Sequence, residues 1–110
     1  MHQIEIGNEV ETHRLTIVWA SREAVSIDIF GHVEAVTTAD YIAFARALTK
    51  TYHELDGTAQ LVNEAGHAIV TLAFKRGVVD VQIVRDTSIR TFQTDQSYVT
   101  TTVRQIGVIE

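Results

Sequence analysis

Residues 58–85 read TAQLVNEAGHAIVTLAFKRGVVDVQIVR, three runs of alternating apolar and polar residues separated by two breaks that contain glycine. The breaks are Glu64-Ala65-Gly66-His67 and Arg76-Gly77, and glycine accepts the positive φ angles of tight hairpin turns. Alternation with a period of two is typical of strands that bury one face. The stretch therefore predicts a three-stranded antiparallel meander.

The two hairpins of this meander place apolar residues opposite one another on a single face. The implied pairs are Leu61 with Val70, Ala59 with Leu72, Phe74 with Val79, Leu72 with Val81 and Val70 with Ile83. The same registers direct Val62, Ile69 and Val84 to the opposite face as an apolar strip. Such a strip marks either an interaction surface or a face covered by another element. We expect the terminal helix or a partner to cover it, and a homodimer joined through it is a further hypothesis.

A second hairpin is predicted upstream. Apolar residues alternate through 15–19 and again through Val25–Val33, and Ser21-Arg22-Glu23 can close the turn between the two runs. The register then sets Trp19 opposite Val25, Ile17 opposite Ile27 and Leu15 opposite Ile29, with Val18 and Phe30 pointing outward. A shorter strand, Gln3–Ile6, precedes this hairpin at the edge of the sheet.

The hydrophobic period changes to that of a helix over Ala39–Leu55. Thr38 stands where a capping residue is preferred, and Asp56-Gly57 stops the pattern. The apolar stripe that can lie on the sheet consists of Tyr41, Phe44, Ala45, Leu48, Tyr52 and Leu55. A second helix, over about residues 95–107, is predicted after the cap-like residues 94–97.

These elements predict one α+β domain over residues 1–110. Its architecture is a twisted antiparallel sheet of about six strands with one main helix packed on it and a short C-terminal helix, in the order β-β-β-α-β-β-β-β-α. A chain of 110 residues with 45% hydrophobic residues can bury one continuous core. We find no internal repeat in the sequence.

Composition narrows the classes of function. The formal net charge of −5 argues against a nucleic-acid binder, because phosphate neutralisation needs a basic surface. Residues 1–5 lack the features of a signal peptide, and no apolar run approaches the length that spans a bilayer. The absence of cysteine removes any need for an oxidising compartment. We therefore expect a cytoplasmic protein that binds neither nucleic acid nor membrane.

The sequence carries no motif of catalysis or cofactor binding. No H-E-x-x-H pair, G-x-S-x-G elbow or glycine-rich phosphate loop is present. His13, His32 and Glu34 can be drawn as a two-histidine, one-carboxylate cluster, but solvated histidines at strand ends explain the same residues. We expect no catalytic residues, no cofactor, no metal and no enzymatic activity.

The chain resembles small bacterial proteins of unassigned function, some of which are similar to WapI-type immunity proteins of polymorphic toxin systems. The likeness spans most of the chain and rests on the helix Ala39–Leu55, the strand Thr58–Asn63 and the helix start Thr94-Asp95-Gln96-Ser97-Tyr98. It implies a bacterial inhibitor that binds one toxin stoichiometrically, with acidic residues opposing a basic toxin surface. It transfers no binding residues.

Two functions remain open from the sequence. The leading hypothesis is a small protein-binding module, with an immunity protein as its specific form. Its partner-binding residues would be four carboxylates on or beside outward strand positions, together with the apolar strip: Asp28, Glu34, Asp80, Asp86, Val62, Ile69 and Val84. The alternative is a small ligand-binding domain or enzyme with a pocket between helix and sheet, lined by Trp19, Tyr41, Tyr52 and a histidine.

Overall fold

The computed structural model describes residues 2–106, which form eight strands and two helices. In chain order these are β1 (His2–Gly7), β2 (Thr12–Ala20), β3 (Ala24–Ile29), β4 (His32–Thr37), α1 (Thr38–Glu54), β5 (Asp56–Val62), β6 (Ala68–Lys75), β7 (Val78–Arg85), β8 (Ser88–Asp95) and α2 (Gln96–Ile106). The strands make two antiparallel sheets of four, in the orders β1-β2-β3-β4 and β5-β6-β7-β8. The predicted α+β class is therefore confirmed.

The eight strands are close to the expected number of about six, and the difference from the predicted order is one strand. The alternating run Val25–Val33 is divided into β3 and β4 by a two-residue turn at Phe30-Gly31, with φ angles of 53° and 87°. Two consecutive positive φ angles are typical of the tight turns that join antiparallel strands. Phenylalanine rarely adopts this conformation, so the sequence pattern predicted one continuous strand where the structure has a turn.

Four strands followed by a helix occur twice along the chain. Each helix begins directly after the last strand of its sheet, and both helices have buried residues at the fourth, seventh and eleventh positions after the capping residue. These are Tyr41, Phe44 and Leu48 after Thr37, and Val99, Thr102 and Ile106 after Asp95. The repetition concerns the positions and not the residue types, so the sequence did not reveal it.

The main helix differs from the expectation only at its ends. Thr37 is the capping residue instead of Thr38, because its Oγ1 accepts the backbone N–H of Asp40 at 3.0 Å. The helix ends where Leu55 adopts a left-handed conformation with φ of 60°, and β5 starts at once with Asp56. Helix α2 agrees with the predicted terminal helix, whose expected end at residue 107 lies outside the described residues.

One hydrophobic core joins both sheets and both helices. The five apolar pairs predicted for the second sheet are all observed, and their side chains are buried. Helix α1 lies against β5 and reaches β3, β4 and β6, whereas α2 lies against β1, β8 and α1. The apolar face of each sheet is thus turned toward the shared core, and the other face toward solvent. Within residues 2–106, neither helix is long and apolar enough to cross a membrane.

The outer edge of β1 is closed by groups from the end of the chain. The two backbone groups of Glu5 that point away from β2 are both bonded by α2: its carbonyl accepts the Thr102 hydroxyl at 2.5 Å, and its N–H donates to Gln105 Oε1 at 2.6 Å. The Gly7 carbonyl accepts the Thr94 hydroxyl at 2.7 Å. Since unpaired edge groups attract other strands, these bonds both protect β1 and join the two halves of the fold.

We predict that Thr102→Val lowers the free energy of unfolding by about 1–2 kcal/mol, because valine keeps the shape of threonine but leaves the Glu5 carbonyl without its donor. The matched control is Thr101→Val on the exposed side of the same helix, which should change stability by less than about 0.5 kcal/mol. Urea unfolding monitored by circular dichroism measures both. Equal effects of the two substitutions would contradict the proposed closure of β1.

Candidate functional site: the outer face of the first sheet

Trp19 lies on the surface because β2 contains a bulge. Ile17 pairs with Ile27 as predicted, but Trp19 pairs with Ser26, so that Val18 is an extra residue without a partner. One inserted residue moves the following side chain to the other face of a strand. The prediction that Trp19 opposes Val25 in the core is therefore wrong, and the indole is 56% exposed.

We call the open surface around this side chain the Trp19 face, defined by Thr16, Trp19, Ser26, Asp28, Val33 and Ala35. These residues form two adjacent rows across the first sheet, Trp19–Ser26–Ala35 and Thr16–Asp28–Val33. Val33 is 54% exposed, and the residues in the same row as the indole, Ser26 and Ala35, are small. Large apolar groups among small polar ones are typical of a protein contact surface.

Asp28 is the predicted binding residue that belongs to this face. Its Oδ1 accepts the backbone N–H of Gly31 at 2.7 Å, which stabilises the β3–β4 turn. This bond orients the carboxylate and leaves its second oxygen available to a partner. Asp28 lies in the strand row next to that of Trp19, so one partner side chain can contact both.

The other predicted carboxylates lie elsewhere. Glu34 lies at the β4 edge, where it accepts the Asn63 amide at 3.1 Å and pairs with His32 at 3.2 Å. Asp80, on the outer face of the second sheet, accepts the Gln93 amide at 2.8 Å. Asp86 is an exposed residue of the β7–β8 turn. The structure thus distributes the four carboxylates over different faces, and their contribution to partner binding stays a prediction.

The predicted apolar strip is interrupted by a second bulge. Val62 pairs with Ala68 and not with Ile69, so the expected register is wrong at this point. Ile69 is 2% exposed and belongs to the core, whereas Val62 and Val84 are half-buried. A homodimer through this strip stays a prediction, but Ile69 offers it no accessible surface in this conformation.

The histidines are engaged in separate contacts. His13 Nε2 lies 2.6 Å from Glu11 Oε1, and His32 pairs with Glu34. Hydrogen bonds from His13, and secondly from Arg90, hold the pKa of Glu11 below its ordinary value. No group of three or more histidine, aspartate or glutamate residues positioned for a metal ion occurs in residues 2–106.

A groove between helix and sheet exists at the start of α1. It encloses about 450 Å³, and its lining includes Ser21, Tyr41 and Arg46. The Tyr41 hydroxyl is buried without a hydrogen-bond partner, and burial raises its pKa. Of the aromatic residues that the pocket hypothesis named, only Tyr41 lines this groove. Tyr52 instead bonds Thr100 at 2.6 Å, between the two helices.

Sequence reasoning missed the exposed indole, although one signal was present. Ile17-Val18-Trp19 is a run of three apolar residues, which departs from strict alternation. Such a run is compatible with a strand buried on both faces as well as with a bulge, so it could not decide between them.

Comparisons with protein-family models, with curated proteins and with solved structures find no match to this chain. The resemblance to WapI-type immunity proteins therefore stays a prediction from the sequence.

We predict that Tyr41→Phe raises the free energy of unfolding by about 1 kcal/mol, since phenylalanine fills the same space and removes the cost of an unpaired buried hydroxyl. Thermal and urea unfolding measure the change. Tyr52→Phe is the control, and it should destabilise the protein because it removes the bond to Thr100. Destabilisation by Tyr41→Phe would mean that the hydroxyl already has a partner in the free protein, and it would remove the observation that favours a ligand site in this groove.

Proposed function

We propose that this protein is a binding module that contacts another protein through the Trp19 face. The observation that supports the proposal is the 56% exposure of Trp19. Tryptophan is among the residues that contribute most to binding when they are buried at the centre of an interface. A rigid four-stranded sheet presents the indole without the entropic cost of ordering a loop.

The chemistry of the face favours a partner with basic residues. An arginine or lysine side chain can stack on the indole through a cation–π contact and extend its charge toward Asp28 in the adjacent row. The net charge of −5 would also attract a basic protein over longer distances and raise its association rate. Basic proteins are thus the partner class that the charge distribution fits best.

The specific form of the proposal is an immunity protein that neutralises a bacterial toxin by stoichiometric binding. It combines the face described above with the resemblance in the sequence to WapI-type immunity proteins. Inhibition would need no catalytic group in this chain, since occupation of the toxin surface suffices. A toxin that acts inside the cell would require the inhibitor in the cytoplasm, where a cysteine-free chain folds without disulfides.

A second candidate function is small-ligand binding in the groove lined by Tyr41. The unpartnered Tyr41 hydroxyl is the specific observation that favours it, because buried polar groups normally have a partner. Arg46 at the same groove would favour an anionic ligand. Destabilisation in the Tyr41→Phe experiment above would show that the hydroxyl already has a partner, and it would count against this candidate.

The binding proposal is tested with the basic protein that the tagged chain captures from a lysate of its native host, which the immunity role expects to be a toxin. Isothermal titration calorimetry should show a 1:1 complex, and coexpression should protect cells from the toxin. Trp19→Ala should weaken the complex by about 2 kcal/mol or more, roughly 30-fold in Kd, because the indole would occupy the centre of the interface. The folded state should be retained, since the side chain is largely in solvent.

The matched control is Val78→Ala, which removes an apolar side chain of 47% exposure from the outer face of the other sheet. It should leave the Kd unchanged within about twofold, since peripheral and unrelated positions contribute little. A complex of full affinity with Trp19→Ala would contradict the assignment of the face. Failure of the wild-type protein to bind or protect would contradict the immunity role.

A further inference from the structure

A groove lies between the two sheets at the end of the molecule that carries the β3–β4 and β7–β8 turns. We call it the mouth groove; it is open to solvent and has a volume of about 400 Å³. The first sheet lines the groove with His13 and Phe30. The second sheet lines it with Ile83, Arg85, Ser88 and Arg90. The groove is separate from the Trp19 face, because that face is directed outward and this space opens between the sheets.

One part of the mouth groove is apolar and held in place by the fold. Ile83 is fully buried and lies at its base, and the Phe30 ring forms a wall that is 37% exposed. The Phe30 and His13 rings meet edge to face with 5.2 Å between their centroids. The tight turn fixes the backbone of Phe30, and the contact with His13 orients its ring in the absence of a ligand.

The other part of the mouth groove carries positive charge. Arg90 is paired with the Glu11 carboxylate at 3.0 Å. Arg85 makes no ion pair with any carboxylate within residues 2–106. Its Nη2 lies beside Gly31, 3.9 Å from where a Cβ on that residue would be. Arg85 therefore places an uncompensated guanidinium beside the apolar wall of the groove.

We propose that the mouth groove binds a small organic monoanion, a carboxylate attached to an apolar body. The carboxylate would take two parallel hydrogen bonds from the Arg85 guanidinium and one from the Ser88 hydroxyl. The apolar body would lie on Phe30 and Ile83. A volume of about 400 Å³ is within the range of small-molecule sites, which are mostly apolar with a few convergent polar groups.

The nearby charges select a carboxylate over a phosphate group. Arg85 is the one unpaired cation among the arginines of this groove, and Glu11 holds a negative charge beside Arg90. A phosphate dianion would meet the repulsion of Glu11 with only one free guanidinium to compensate it. A single carboxylate matches the single guanidinium in charge and in planar geometry.

The proposal is tested by titrating the folded protein with 3-phenylpropionate and following backbone amide shifts by NMR. Saturable shifts at Phe30, Ile83 and Ser88 are expected, with a Kd of about 1 mM or tighter. The neutral analogue 3-phenylpropanamide should bind at least about tenfold more weakly, because it lacks the charge that Arg85 recognises. Sodium chloride should weaken binding of the carboxylate and leave that of the amide unchanged.

The matched variants are Arg85→Gln and Arg22→Gln, which remove equal charges from the mouth groove and from the β2–β3 turn. Arg85→Gln should weaken binding at least about tenfold, and Arg22→Gln should not change it. The proposal is overturned if neither 3-phenylpropionate nor octanoate saturates the groove, if the shifts lie outside it, or if Arg85→Gln binds as well as the wild type. None of these results would affect the Trp19 face, since its test uses a different surface and partner.

Discussion

Each sheet of this protein has only one apolar face, and the burial of both faces in a shared core determines the rest of the architecture. Hydrophobic burial is the dominant favourable contribution to folding, and residues such as Ile27 and Leu72 have no solvent exposure. The outer faces are then left open, because the two helices lie against the edge strands β5 and β1 and within the core. The outer faces of the sheets are therefore accessible to a partner, as are the exposed sides of the helices, the turns and the mouth between the sheets.

This constraint gives single inserted residues a large effect. Because side chains alternate along a strand, the extra residue Val18 turns Trp19 out of the core, and the bulge opposite Val62 leaves Ile69 buried in it. The first bulge creates an exposed aromatic surface and the second removes part of an expected apolar one. The binding surface that we infer thus depends on irregularities of the strands and not on their regular pattern.

Much of the local structure could be predicted from the sequence. The alternation in residues 58–85 determined the registers of the meander, since one slip would expose its whole apolar face. The helical stripe and the polar residues at 94–97 likewise indicated both helices. The turn at Phe30-Gly31 could not be predicted, because phenylalanine rarely adopts a positive φ. The two bulges could not be predicted, because the apolar runs around them fit a regular strand equally well.

Contacts between distant parts of the chain were also beyond prediction. The bonds from Thr94, Thr102 and Gln105 to β1 join residues almost the length of the chain apart. The mouth groove likewise arises only when the β3–β4 turn meets the β7–β8 hairpin. Hydrophobic periodicity gives no information about contacts between distant segments. It therefore identified outward-facing residues but not which of them share a surface.

The single tryptophan of the chain is 56% exposed on an open sheet face, and its fluorescence reports on this exposure. We expect the folded protein to emit only slightly to the blue of the urea-unfolded chain and acrylamide to quench the folded protein readily. A clearly blue-shifted emission that resists quenching would show Trp19 buried in the core, and it would contradict both the bulge at Val18 and the binding surface inferred from it.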